Sequence, residues 1–91
     1  MRTFSRTSQF KRDVKLAERR GRNLAKLRAA LDLLIEGRPL PAEYRDHPLR
    51  GNFASSRDCH LEPDWILIYT LSAKDTHVCF ERTGTHSDLF R

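Results

Sequence analysis

Trp65-Ile66-Leu67-Ile68-Tyr69 is an uninterrupted apolar run built from β-prone side chains. A strand with one wet face would alternate, so an unbroken run of this length predicts a central strand covered on both sides. Glu62-Pro63-Asp64 precedes it and Ser72-Ala73-Lys74-Asp75 follows it. Both stretches are rich in turn-forming residues. Beyond the turns, Arg57 to Leu61 and His77 to Arg82 read as partner strands, and Phe53 as part of another. Connections this short make antiparallel neighbours.

Upstream of Gly51 the period changes from two to between three and four. Phe10, Val14 and Ala17 form one stripe of a helix that starts near Gln9, with Thr7 or Ser8 as its cap. Gly21 ends that helix or bends the chain, and Asn23 caps a second. Its apolar face is Leu24, Leu27, Leu31 and Leu34, and Gly37 and Pro39 stop it. Arg38 to Pro48 reads as a loop, with Pro39, Pro41 and Pro48 excluding regular structure. Arg2 to Arg6 is a short strand, and the tail from Thr83 to Arg91 makes one helical turn packed by Leu89 and Phe90. The expected fold is α+β: an N-terminal strand and a two-helix hairpin packed on one face of an antiparallel sheet. The other sheet face is left for a site.

The 91 residues suffice for a single domain spanning 1–91. No apolar run approaches the roughly 20 residues needed to span a bilayer, and the basic start Met1-Arg2-Thr3-Phe4-Ser5-Arg6 lacks the apolar core of a secretory signal. A cytoplasmic protein without membrane contact is expected, with Cys59 and Cys79 reduced. Residues 1–50 carry 13 Lys and Arg against 6 Asp and Glu, and residues 51–91 carry 4 against 6, within a net charge of +5. The first half is thus a cationic body suited to a polyanion such as RNA. Lys11, Lys15, Arg19 and Arg22 share one helical spacing and read as a basic ridge.

The second half gathers titratable residues near strand ends and turns: His47, His60, Asp64, Arg82 and His86. Cleaving RNA takes a base for the ribose 2′-OH, an acid for the departing 5′-oxygen, and a cation for charge on the phosphate. Histidine serves as acid or base near neutral pH, and arginine grips phosphate through a planar fork. These residues fit an RNase that needs no metal or other cofactor. Asp64 in a turn, His77 at a turn edge, Trp65 in an apolar strand and Phe90 near the terminus each also have plain folding explanations. Paired-Cys zinc spacing, a nucleophile elbow and a phosphate-cradling glycine loop are all absent from the sequence.

Several segments together resemble the YafQ branch of the RelE-like toxins. They are Lys11, Asp13-Val14-Lys15-Leu16-Ala17, Leu40-Pro41, Asp46-His47-Pro48-Leu49, Gly51, Arg57-Asp58 with His60, Glu62-Pro63-Asp64-Trp65 and the following strand, Phe80-Glu81-Arg82-Thr83-Gly84-Thr85-His86, and Leu89-Phe90. The plain stretch Asn52 to Ser56 departs from that pattern and touches codon preference. The resemblance implies a RelE-like fold and ribosome-dependent cleavage of mRNA in the A site. It further implies attack by the 2′-OH, leaving a 2′,3′-cyclic phosphate and a 5′-OH without metal. It also implies a small cognate antitoxin, encoded alongside, that wraps the toxin and with it represses their operon at operator DNA. By the same resemblance His86 is the general acid, His60 or His47 the base, Asp64 an orienting group and Arg82 a phosphate contact. Trp65 and Phe90 would meet mRNA, while Lys11, Lys15, Arg19, Arg22 and Lys26 face ribosomal RNA. A non-catalytic basic nucleic-acid-binding module acting only in repression is the alternative.

Overall fold

The structure is a computed structural model that describes residues 1–51 and 55–90. The expected strand residue Phe53, and most of the Asn52 to Ser56 departure, lie outside the described residues.

The elements follow the order β1 (Thr3–Arg6), α1 (Ser8–Arg19), α2 (Leu24–Glu36), a 3-10 turn (Ala42–Tyr44), β2 (His47–Pro48), β3 (Arg57–Glu62), β4 (Trp65–Leu71), β5 (His77–Gly84) and α3 (His86–Leu89). The five strands form one sheet in the order β1-β5-β4-β3-β2. The Trp65 run is its central strand, as the sequence predicts. All neighbours are antiparallel except β1, which lies parallel to β5 with Thr3 opposite His77 and Arg6 opposite Phe80. Two helices separate β1 from the rest of the sheet, and a long crossover permits what a short turn forbids.

Caps define the helices. The Thr7 hydroxyl accepts from the Phe10 amide and the Asn23 side chain from the Ala25 amide, while Gly37 closes α2 at φ 75°. The left-handed conformation at Gly37 costs glycine little. Phe10 and Ala17 from α1 and Leu27, Ala30 and Leu34 from α2 meet Trp65, Leu67, Tyr69, Val78 and Phe80 in one buried cluster. The opposite sheet face has a smaller cluster, Ile66 and Ile68 under Leu89 with Leu49 beside them. β4 is therefore covered on both sides, as its composition requires.

Three details differ from the sequence reading. The Arg38 to Pro48 segment is not wholly irregular: it holds the 3-10 turn and the two-residue strand β2. Pro48 is tolerated because β2 is the sheet edge, where a missing N–H breaks no ladder. Arg22 lies beyond the end of α1, so the ridge on that helix is Lys11, Lys15 and Arg19, all exposed. His77 is more than a turn-edge surface residue. Its two ring nitrogens lie 2.7 Å and 2.9 Å from the hydroxyls of Thr3 and Ser5, binding β1 to β5.

Candidate active site

Strand register collects the site. His47, Asp58, Ile68 and Arg82 lie directly opposite one another across β2, β3, β4 and β5. His60, Ile66 and Gly84 form the next row, beside a bulge between His60 and Glu62. Paired residues put their side chains on one face, although Arg82, next to a bulge between Ile68 and Tyr69, turns its guanidinium back to Asp13 of α1. That face is the one turned away from α1 and α2, where the sequence reading left room for a site.

The third histidine comes from α3. Thr85 caps this turn with a reciprocal capping box to Asp88, whose carboxylate also binds Arg20 at 2.7 Å. A side chain at Gly84 would meet the Asp88 Cβ at 3.0 Å, so glycine lets α3 lie tightly over the end of β5. His86 then stands over Asp64 of the β3–β4 turn. Asp64 Oδ1 accepts from the His86 backbone N–H at 3.0 Å and from Nδ1 at 2.7 Å. These bonds, the backbone one foremost, hold the Asp64 carboxyl below its usual pKa. An ionised Asp64 fixes hydrogen on Nδ1 and leaves Nε2 of His86 directed elsewhere.

The three imidazoles form a chain. Ring centroids are 6.3 Å apart for His47 and His60, 5.7 Å for His60 and His86, and 6.1 Å for His86 and Phe90. His47 is set by its own loop. Its Nδ1 donates to the Arg45 carbonyl at 2.7 Å. Arg45 itself has φ 51°, in the left-handed region. Asp46 anchors the loop by accepting from the Tyr69 hydroxyl and from Arg57 Nη2 at 3.2 Å.

Arg82 is gripped from α1. Asp13, 7% exposed, takes Arg82 Nε at 2.8 Å and Nη2 at 3.2 Å. It also caps the Thr83 amide at 3.1 Å, beyond the reach of β1 along the edge of β5. Among the described residues these bonds use Nε and Nη2 of Arg82 and leave Nη1 outside the clamp.

Three of the RNA-facing expectations meet different surroundings. Trp65 is 1% exposed in the helix-side core, so it offers no face for a base to stack on; its burial follows from its inward register on the central strand. The Arg22 guanidinium lies 5.3 Å from its ring centroid and pairs with Glu62 at 2.8 Å, and Lys26 pairs with the same carboxylate at 2.9 Å. These two cations line a cleft of about 810 Å³ that runs to His60 and Asp64. Phe90 is 40% exposed, against His86. Among the described residues no group of three or more His, Cys, Asp or Glu converges as a metal site. No helix among them is long and apolar enough to cross a membrane.

Asp13, Asp46 and Asp58 enter the sequence reading only as parts of the family-like segments and Asp88 not at all, and none of the four carries a site role there. Each has at least one partner 11 to 70 residues away in the chain. The acid side of the site also predicts a pH response. Arg20 first, then the Thr85 amide, holds Asp88 well below the usual carboxylate range. A depressed pKa stabilises the fold above the unfolded value of about 3.9 and withdraws that support as pH falls through the folded one. Thermal unfolding between pH 5 and pH 2 should therefore show a falling Tm, with a shallower fall in Asp88→Asn. Equal slopes in the two proteins would remove Asp88 as a cause.

The described arrangement has close relatives. The family model "Bacterial toxin of type II toxin-antitoxin system, YafQ" matches residues 2–91. An "mRNA interferase toxin YafQ" of Escherichia coli K12 is 52% identical over 85 residues, covering 92% of this chain and 90% of that protein. The toxin in the crystal structure of the E. coli DinJ–YafQ toxin–antitoxin complex superposes with a TM-score of 0.91 at 49% identity, over 99% of this chain and 98% of that one. A metal-bound toxin from Helicobacter pylori superposes at 0.90 with 34% identity, over 99% and 100% of the two chains.

Proposed function

From the premise that this chain belongs to the YafQ family of bacterial type II toxins, we propose that it is a metal-independent endoribonuclease that cuts mRNA in the ribosomal A site and so stops translation. The observation carrying this reading is the His47–His60–His86 chain, with His86 held by Asp64 through two hydrogen bonds.

In this reading His60 or His47 takes the proton of the ribose 2′-OH, and the 2′-oxygen attacks the adjacent phosphorus. His86 gives the proton that the departing 5′-oxygen needs. Products are a 2′,3′-cyclic phosphate and a 5′-OH. Arg82 meets the phosphate through Nη1 while Asp13 fixes its plane, which suits a cation for a planar, charge-developing group. Phe90 lies beside His86 as a stacking surface for a base. Lys11, Lys15 and Arg19 on α1 face ribosomal RNA, with Arg22 and Lys26 reaching the same polyanion from the cleft edge. Trp65 supports the site from within the core.

Inhibition would come from a small cognate antitoxin, as the E. coli relative forms a complex with DinJ. Operator DNA would be reached only through that complex, and the site of action would be the cytoplasm. The metal-bound H. pylori toxin makes chelation a necessary control.

The test is primer-extension mapping with mRNA alone and on programmed ribosomes, with and without EDTA. Cuts confined to A-site codons, ribosome-dependent and unchanged by EDTA, are expected. Rapid cutting of free RNA would sink the A-site step, and loss of cutting in EDTA would sink metal independence. A folded protein that binds RNA and cuts in neither case would leave the alternative, a binding module acting in repression.

A further inference from the structure

Asp58 has no part in the scheme above, yet it is a deeply buried acid on the sheet face that carries it. Its side chain is 5% exposed. No aligned hydrogen-bond donor reaches its Oδ1 among the described residues. Buried carboxylate oxygens are seldom left so. His47 Nε2 stands 3.1 Å away, placed there because the two residues face each other across β2 and β3.

The other nitrogen of that ring is committed. A carbonyl can only accept, so the 2.7 Å contact with the Arg45 oxygen puts hydrogen on His47 Nδ1. Nε2 is therefore the nitrogen that gains or lacks a proton. It is close to Asp58 but its axis passes Oδ1 by, and the His47 side chain is 51% exposed. A nitrogen so placed can reach a substrate hydroxyl on the open side while a buried negative charge stands beside it. The charged and titratable groups facing Asp58 are His47 on β2, His60 on β3 itself, His86 on α3 and Asp46 before β2. Burial raises its carboxyl pKa above the ordinary value, and the three imidazoles oppose that rise, His47 most.

We propose that Asp58 is the positioning residue of His47, a buried counter-charge that stabilises the imidazolium formed when His47 accepts the 2′-OH proton. This rests on the endonuclease reading. The step balances: the 2′-O–H bond breaks, its proton goes to Nε2, the 2′-oxygen bonds to phosphorus, and His86 supplies the proton that leaves with the 5′-oxygen. Asp58 is neither protonated nor consumed. The Arg45 carbonyl, holding Nδ1 from behind, keeps the Nε2 edge beside Asp58 and toward the open side.

Two measurements test this. Asp58→Asn keeps the shape and removes the charge. Its single-turnover cleavage on programmed ribosomes should fall roughly 10-fold to 10²-fold, below the cost of losing a proton-transferring group itself, with half-saturating ribosome concentration unchanged. Separately, 13C-detected titration of the Asp58 carboxyl in the free protein should give a midpoint above the usual aspartate range, and His47→Ala should raise it further. A midpoint indifferent to His47→Ala overturns the pairing, and wild-type cleavage by Asp58→Asn overturns its role. If the midpoint moves but the wild-type protein cuts no ribosome-bound mRNA, the pair stands and the endonuclease reading falls.

Discussion

His86→Ala should lower single-turnover cleavage of ribosome-bound mRNA by about 10²-fold to 10⁴-fold, the range for loss of a positioned proton donor. The structure gives this residue little other work. It is exposed, and among the described residues its side chain hydrogen-bonds to Asp64, itself exposed in a turn. Thermal stability should therefore stay within about 0.5 kcal/mol of wild type, as for surface substitutions in general. Ribosome binding should be unchanged, because the positive surface is built from many lysines and arginines elsewhere. Asp64→Asn should reproduce part of the loss by freeing the ring, with a smaller effect than His86→Ala. A His86→Ala protein that cuts at the wild-type rate would remove this histidine from the mechanism, and His60 would then be the first candidate for the acid.

Asp13→Ala should destabilise the fold by about 2–4 kcal/mol, measurable as a shift in denaturant midpoint. The carboxylate serves three donors at once: Arg82 twice over, the Thr83 amide and Gln9 Nε2 at 3.0 Å. Its removal leaves a buried backbone N–H without a partner and a half-buried guanidinium without its anion. For a domain whose total stability is about 5–15 kcal/mol, that is a large fraction. Cleavage should fall as well, even where the variant is fully folded, since Arg82 loses the contact that fixes its plane. Asp13→Asn separates the effects: it can still accept from Thr83 but no longer neutralises Arg82. Stability within 0.5 kcal/mol of wild type in Asp13→Ala would show that water replaces the carboxylate, and the clamp would be discarded.

The sheet and helices were legible because each announces itself locally. The unbroken Trp65–Tyr69 run could only be a covered strand, and the leucine spacing of α2 could only be one helix face. The parallel placement of β1 was not legible, because no local signal says which strand will receive a chain that has passed through two helices. The histidines and Arg82 were legible by type and by family resemblance. What holds them was not. Asp13 reads as one more polar residue on a helix, and its meeting with Arg82 depends on the pairing of β1 with β5. Asp58 sits in a strand between Arg57 and Cys59, and only the two-residue strand β2, read from sequence as loop, places His47 opposite it. Trp65 shows the converse case. The family resemblance placed it against mRNA, whereas its register in an apolar strand sends it inward.

The pairing of the first strand with the last also sets when the protein becomes dangerous. Asp13 lies near the start of the chain and Arg82 near its end, and β1 finds its place only once His77 to Phe80 exist. Closing so long a loop is slow compared with forming local turns. A half-made chain emerging from the ribosome thus has its basic helices but neither the four-strand row nor the clamped arginine. On the proposed activity, a chain that still lacks β5 would have no assembled site with which to act.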